Sequence, residues 1–301
     1  MGKQYICILA LFCQIVSADY FIRNTPQQIN GSYNSLASTG LIQLPTAGLQ
    51  KSGTVGVTLG NSSLNKYASI IASPFDWLEA SFYYHRPRDS IYINKVGNYL
   101  DKGFNIKIAK QFSNISIAMG IDDIAGTGFF AKEYIVGTLH AQGFNLTLGV
   151  GTGELSRDHP YENPIPGLKN RPTDLFALGG SPGSEVDFNR MFKGPIGIFG
   201  GLEYAFRDIK GLTLKIESNP FDYQTFMAGG RPTFKSKSAR IKSKDFNIGL
   251  SYRFLEHYNI SLSQIKGNSY DLVLSRSFDL TKKNSKTNHK PIKKFSQAKD
   301  V

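Results

Sequence analysis

The sequence predicts an all-β protein, an antiparallel transmembrane β-barrel of about 12 strands with long extracellular loops. The first observation is the alternation of apolar with polar residues, as where Phe104 and Ile106 alternate with Asn105 and Lys107. Successive side chains of a strand point to opposite faces, so each such segment has one apolar and one polar face. A barrel that is apolar outside and polar inside explains this pattern.

The second observation is the lack of any stretch of about 18 apolar residues, which excludes a membrane-spanning helix. The alternation instead predicts twelve strands from residue 51 onward. The predicted strands are 51–60, 64–73, 76–85, 103–112, 114–122, 132–141, 143–153, 195–206, 211–218, 245–254, 257–266 and 269–279.

The third observation is the order of the connections, since tight turns mostly alternate with longer loops at 86–102, 123–131, 154–194 and 219–244. Outer-membrane barrels have short periplasmic turns and longer external loops. A soluble sandwich has no reason to sort its loops in this way. Both ends of the chain are therefore expected in the periplasm, with the long loops outside.

The strand number bears on transport. Eight strands leave an interior that side chains fill, whereas sixteen or more leave a water-filled channel. Twelve strands lie between these cases, so the sequence predicts a narrow pore and not a wide polysaccharide conduit. The loop at 154–194 is long enough to fold back and constrict it.

The chain is predicted to have four parts. Residues 1–18 are typical of a secretory signal peptide with a cleavage site after Ala18. Residues 19–50 are polar and interrupted by glycine, and are expected to form a periplasmic N-terminal segment. Residues 51–280 form the barrel. Residues 281–301 hold seven Lys against one Asp and are expected to be a basic disordered tail.

The net charge of +12 is concentrated in that tail and in one loop. Six basic side chains lie within residues 231–244 and no acidic residue lies among them. Such a cluster is typical of a solvated loop, but it also suits contact with phosphate or acidic sugar. The hypothesis is polyanion binding by Arg231, Lys235, Lys237, Arg240, Lys242 and Lys244.

The sequence predicts no cofactor, no metal site and no enzymatic activity. The five His show no metal-ligand spacing, and both Cys lie in the predicted signal peptide. The acidic residues of the predicted loops are interpreted as solvated charge. One catalytic alternative stays open, because His140 on one inward face could serve as the base for Ser116 on its neighbour. That pair would make a barrel-embedded hydrolase acting on lipid or glycan.

Several short segments, in family order between about residues 40 and 223, resemble the N-terminal half of the YjbH family. They include Gly40-Leu-Ile-Gln-Leu-Pro-Thr-Ala47, Ser73-Pro-Phe-Asp-Trp-Leu-Glu-Ala80, Gly120-Ile-Asp-Asp-Ile-Ala-Gly-Thr-Gly128, Glu185-Val-Asp-Phe-Asn-Arg190 and Gly200-Gly-Leu-Glu-Tyr204.

The resemblance implies a barrel in the outer membrane of a Gram-negative bacterium, associated with exopolysaccharide biosynthesis or export. The expected partners are outer-membrane lipid and lipopolysaccharide, then anionic exopolysaccharide and other polysaccharide-export proteins. No nucleic acid is expected. A small-solute porin is the alternative that needs no polysaccharide.

Overall fold

The computed structural model describes residues 31–63, 65–87, 100–126, 128, 130–172, 186–222, 225–228, 231–235 and 244–282. Sixteen strands lie in this part of the chain. In order they are β1 (Ser32–Tyr33), β2 (Thr39–Gly40), β3 (Thr54–Ser62), β4 (Asn65–Phe75), β5 (Leu78–Pro87), β6 (Asp101–Phe112), β7 (Ile115–Asp122), β8 (Lys132–Ala141), β9 (Phe144–Gly151), β10 (Gly197–Ala205), β11 (Leu212–Ser218), β12 (Thr225–Ala228), β13 (Arg231–Lys235), β14 (Phe246–Phe254), β15 (Tyr258–Ile265) and β16 (Ser269–Asp279).

Twelve of these strands form a closed antiparallel barrel, and the predicted fold class is confirmed. Each barrel strand pairs with the next, β11 pairs with β14, and β16 closes the barrel on β3. Every predicted strand is present, and the largest offset at either end is three residues. The period-two pattern is informative because strands of a barrel alternate between lipid-facing and lumen-facing side chains.

The burial of side chains is the reverse of that in a soluble protein. In β6, the aromatic Phe104 is 47% exposed and Ile106 is 40% exposed, whereas Asn105 is 5% and Lys107 is 2% exposed. A continuous outer surface of exposed apolar side chains is unstable in water and stable in hydrocarbon. The barrel is therefore a transmembrane one.

The two ends of the barrel differ. The "turn end" carries the short connections that follow β4, β6, β8, β10 and β14. The "loop end" carries the long connections and the short turns that follow β3 and β15. Exposed or half-buried aromatic side chains surround the turn end in stacked or tilted pairs, as a membrane interface favours. These pairs are Phe75–Trp77, Phe144–Tyr204 and Phe254–Tyr258.

The lumen is filled by the N-terminal part of the described chain. Residues 32–47 are all buried, and residues 31–47, hereafter the plug, contact wall side chains of β5, β6, β8, β11 and β14. The short hairpin β1–β2 gives the plug its fold, with Tyr33 opposite Thr39.

The sequence predicted a periplasmic segment at residues 19–50. Of these, residues 32–47 are buried inside the barrel, and residues 19–30 lie outside the described residues. The plug has no strand-length alternation that would place it against the wall. Its partners are also distant in sequence, as where Asn247 contacts Gln43 from 204 positions away. The lumen, which was predicted to be a narrow pore, contains residues 32–47 of the chain.

Two wall glycines make room for plug side chains. A Cβ at Gly56 of β3 would lie 2.2 Å from the ring of Tyr33, and a Cβ at Gly201 of β10 would lie 2.6 Å from Leu41 Cδ1. Such distances do not occur between real atoms, so a larger residue at either position would push the plug out of place.

The loop between β11 and β14 holds the hairpin β12–β13, where the sequence analysis predicted only a loop. The predicted signal peptide at 1–18 and residues 283–301 of the predicted tail lie outside the described residues. Among the described residues, no helix is long and apolar enough to cross a membrane.

Candidate functional site

Charged side chains of the barrel wall bind the backbone of the plug. The carboxylate of Glu217 on β11 accepts hydrogen bonds from the backbone N–H groups of Ile42, Gln43 and Leu44, at 3.0 to 3.1 Å. Asn247 of β14 donates to the same carboxylate at 2.8 Å. Three successive N–H groups aimed at one buried carboxylate form a specific seat for this turn of the plug.

The carbonyl groups on the other side of the same turn face a cation. Lys215 Nζ donates to the carbonyl oxygens of Gly40 at 2.6 Å and Leu41 at 2.9 Å. It also lies 3.3 Å from Glu203 Oε1 on β10, and both side chains are at most 4% exposed. The buried lysine is therefore neutralised by the wall while it holds the plug.

A second ion pair binds the plug at the hairpin. Lys107 Nζ of β6 lies 3.0 Å from Glu79 Oε1 of β5. Glu79 accepts from the Thr39 backbone N–H at 2.9 Å, and Lys107 donates to the Thr39 carbonyl at 2.8 Å. Both backbone groups of one plug residue are thus satisfied by two wall charges of opposite sign.

The plug also supplies six of the fifteen buried residues of an apolar core inside the barrel. Its apolar side chains pack against inward-facing residues such as Ile71, Tyr134 and Phe199 of the wall. The plug residues in this core are Tyr33, Leu36, Ala37, Leu41, Leu44 and Ala47. Apolar burial and paired charges together explain why this segment occupies the lumen.

The structure brings together the two residues named for the hydrolase alternative. Ser116 Oγ lies 2.8 Å from His140 Nε2, and His140 Nδ1 lies 3.0 Å from Asn145 Oδ1. Asn145 donates in turn to Glu203 at 3.0 Å, and Glu203 contacts Lys215. This lumen-facing row of polar groups at the turn end has the order of a serine–histidine–amide triad. Through Glu203 and Lys215, this row also contacts the plug at Gly40.

The loop end has its own layer of buried ion pairs. Lys132 Nζ lies 2.5 Å from Asp122 Oδ2, and both side chains are at most 3% exposed. Arg171 binds the two oxygens of Glu133 at 2.6 and 2.9 Å, in the paired geometry that arginine favours with carboxylates. The Arg171–Glu133 pair fastens the long loop after β9 to the start of β8, and the Lys132–Asp122 pair joins the start of β8 to the end of β7. They also show that some acidic residues interpreted as solvated loop charge are buried pairs.

A cleft of about 320 Å³ opens beside this layer. Its lining includes Glu154, Arg157, Arg171 and Arg190, with small or rigid residues between them. Arg157 Nε lies 3.3 Å from Glu154 Oε1. Burial raises the pKa of Glu154 to about 7, although the charge of Arg157 opposes this shift.

The residues of the polyanion hypothesis are only partly described. The backbone of Arg231 and Lys235 lies in β13, and the exposed Lys244 places its ammonium 5.5 Å from the ring of Phe246. The other three positions, Lys237, Arg240 and Lys242, lie outside the described residues. The hypothesis therefore stays a prediction.

One group of described side chains has the composition of a metal site. The possible ligand atoms of Asp158, His159 and Asp245 lie within 4.8 Å of one another. The ammonium of Lys266 is 3.4 Å from Asp158 Oδ2, so an internal cation already faces this group. The expectation of no metal stays a prediction.

Sequence reasoning missed the plug and the arginine cleft. A signal for the plug was present, since Glu79, Lys107, Lys215 and Glu217 occupy alternating strand positions and therefore point inward. Buried charges require partners, and a wet lumen was assumed to supply them. For the cleft, the three arginines follow no spacing rule, because loop folding alone brings them together.

Comparison with known proteins identifies the family. A family model described as "Exopolysaccharide biosynthesis protein YbjH" matches residues 32–300. The chain belongs to the YjbH family. The match begins within the plug and continues beyond the last barrel strand, so it is longer than the resemblance seen in the sequence segments.

A curated YjbH relative is the "Uncharacterized lipoprotein YjbH" of Escherichia coli (strain K12), which is 29% identical over 281 residues. The aligned region is 90% of this chain and 38% of the relative. The chain thus spans well under half of the length of this YjbH protein.

Solved structures similar to this YjbH-family barrel include outer-membrane channels. The KdgM porin is 11% identical with a TM-score of 0.41, over 75% of this chain and 99% of that one. The NanC porin is 12% identical with a TM-score of 0.38, over 74% and 98%. An outer membrane channel from Pseudomonas putida F1 is 10% identical with a TM-score of 0.35, over 85% and 100%. No ligand or activity is carried from these channels to the present chain.

Proposed function

We propose that this chain is a plugged barrel of the Gram-negative outer membrane that serves exopolysaccharide biosynthesis or export without enzymatic activity. Membership of the family supports the link to exopolysaccharide. The observation that carries the mechanism is the plug, whose backbone is bound by Glu79, Lys107, Lys215 and Glu217. A lumen filled in this way favours a docking or scaffolding role over free passage of small solutes.

The proposed orientation follows the two ends of the barrel. In outer-membrane barrels the short turns face the periplasm and the long loops face outside. The plug then enters from the periplasmic side, where its last residue, Ala47, donates to Thr138 of β8. The loop-end cleft and the described basic residues Arg231, Lys235 and Lys244 face the cell exterior, where lipopolysaccharide, anionic exopolysaccharide and other export proteins are the proposed partners.

Deletion of the gene tests the link to polysaccharide. We expect the deletion strain to lose most of its surface exopolysaccharide, measured as uronic acid and total sugar released from washed cells. Expression of the wild-type chain should restore it, because the barrel is proposed to support glycan assembly. An unchanged amount and length of surface glycan would contradict the proposal and favour a porin unrelated to polysaccharide.

A second candidate, a serine hydrolase, is favoured by one specific observation, the row formed by Ser116, His140 and Asn145. In such a reaction Ser116 Oγ would attack an ester carbonyl while His140 takes its proton. His140 would then pass the proton to the departing alkoxide, and water would hydrolyse the acyl-serine. Against this candidate, Ser116 is only 4% exposed and its row ends on the ion pair that seats the plug.

A serine-directed fluorophosphonate probe distinguishes the two candidates. We expect no labelling of the folded protein, because the row is proposed to position the plug. Ser116→Ala would test any labelling that occurs, with Ser69→Ala as the matched control on another inward-facing serine, which contacts Thr58. Labelling that Ser116→Ala removes and Ser69→Ala keeps would overturn the non-enzymatic proposal.

A further inference from the structure

The loop-end cleft differs from the lumen in its charge and in its access. It lies between the β7–β8 loop, the 3₁₀ turn Gly153–Ser156 and the loop before β10. Three arginines line it, and one carboxylate, Glu154, lies among them. A cleft of about 320 Å³ is within the size range of small-ligand sites.

Two of the three arginines already bind other groups of the protein. Arg171 is bound to Glu133 and to the carbonyl of Arg190, and Arg190 Nε donates to the carbonyl of Pro172. Both side chains therefore shape the wall of the cleft, and the charge of Arg171 is paired with Glu133. They are held in place before any ligand arrives, which lowers the entropy cost of binding.

Arg157 is different. Its Nε faces Glu154, but its Nη2 atom is buried without a hydrogen-bond partner in the described part of the chain. The Arg157 side chain is nevertheless 22% exposed and lines the cleft. A guanidinium group that lacks one acceptor favours an incoming anionic oxygen. The planar fork of arginine matches a carboxylate or phosphate in particular.

We infer that this cleft binds an anionic sugar unit of a surface glycan, with Arg157 as the residue that contacts its carboxylate or phosphate group. The inference deepens the proposed function, because it names the ligand class for the outward-facing end of the barrel. The glycine and proline residues that line the cleft, Gly128, Gly153, Pro160 and Pro195, leave room for a ring beside the arginine. The source of the anion is either a uronate-bearing polysaccharide or the phosphorylated sugars of lipopolysaccharide.

The pH dependence of binding follows from the carboxylate beside Arg157. The charged groups acting on Glu154 are the cations Arg157, Lys132 and Arg171, and burial nevertheless keeps its pKa at about 7. As the pH falls through 7, Glu154 becomes neutral and the cleft gains one positive charge. Binding should therefore strengthen from pH 8 to pH 6.5, and Glu154→Gln should remove most of this change. Asp123 on the adjacent loop also has a raised pKa, about 6, because of burial. The pH dependence of binding that remains in Glu154→Gln measures the contribution of Asp123.

Calorimetric titration of the full chain in detergent tests the inference. The probes are a glucuronate tetrasaccharide, a neutral glucan of equal length and purified lipopolysaccharide with or without its phosphates. We expect either the glucuronate tetrasaccharide or the phosphorylated lipopolysaccharide to bind, which identifies the source of the anion. Arg157→Gln should lower the affinity for that probe roughly 10- to 100-fold, since a hydrogen bond to a charged group is lost. Arg207→Gln, an exposed arginine at the turn end, is the matched control and should have no effect.

Three outcomes would overturn the assignment. These are no binding of any anionic probe, equal binding of the neutral glucan, and weakening by Gln at the six basic positions of 231–244 but not by Arg157→Gln. The result is also separable from the proposed function. If the deletion strain loses its surface glycan but Arg157→Gln binds the anionic probe as tightly as the wild type, the cleft assignment is wrong and the export role stands. If the surface glycan is unchanged but Arg157→Gln weakens binding, the export role is wrong and the cleft assignment stands.

Discussion

Replacing Glu217 with alanine is expected to release the plug and turn a nearly silent barrel into a conducting one. Its carboxylate is the acceptor for three successive backbone N–H groups of the plug, at 3.0 to 3.1 Å. Removing this acceptor leaves the three buried N–H groups without a partner, and each unsatisfied group costs about 1–3 kcal/mol. A total of about 3 kcal/mol or more shifts the balance between the plugged and unplugged states by roughly 10²-fold or more. Single-channel conductance in planar bilayers measures the shift.

Two further variants make this result interpretable. Deletion of residues 31–47 should give the full conductance of the empty barrel, which sets the upper limit. Glu256→Ala, an exposed glutamate in the turn between β14 and β15, should behave like the wild type. If both Glu217→Ala and the deletion stay silent while the barrel remains folded, the plug does not control the lumen.

The barrel could be predicted from the sequence because the alternation of side chains depends only on neighbouring residues in each strand. Alternation between Phe104, Asn105, Ile106 and Lys107 depends only on strand geometry, and a similar alternation recurs in most strands of the barrel. The lumen could not be predicted in this way. A polar inward face suits water and suits a protein plug equally well, and the choice depends on contacts such as that between Glu217 and Leu44, which are 173 positions apart.

The candidate site was predictable only where strand register determines it. Ser116 and His140 lie near the turn end of neighbouring strands, so their proximity follows from the pairing of β7 with β8. The cleft depends instead on the conformation of long loops. Arg157, Arg171 and Arg190 come from three places in one connection, and no periodicity relates them. Buried loop contacts, here the Arg171–Glu133 pair, determine which of them remains available.

Arginine in place of Leu262 is expected to destabilise the barrel strongly, because this side chain faces lipid near the middle of β15. Leu262 is 58% exposed and lies opposite Leu250 and Leu272 of the neighbouring strands. An arginine on the lipid face costs about 2–4 kcal/mol at the bilayer midplane and only about 0–1 near the interfaces.

Leu255→Arg, in the turn after β14 where the leucine is 77% exposed, is the matched control. The free energy of unfolding in lipid vesicles, measured with urea, should therefore fall for Leu262→Arg and remain nearly constant for Leu255→Arg. A barrel whose outer face met water would tolerate both arginines equally, since exposed surface positions rarely change stability by more than about 0.5 kcal/mol.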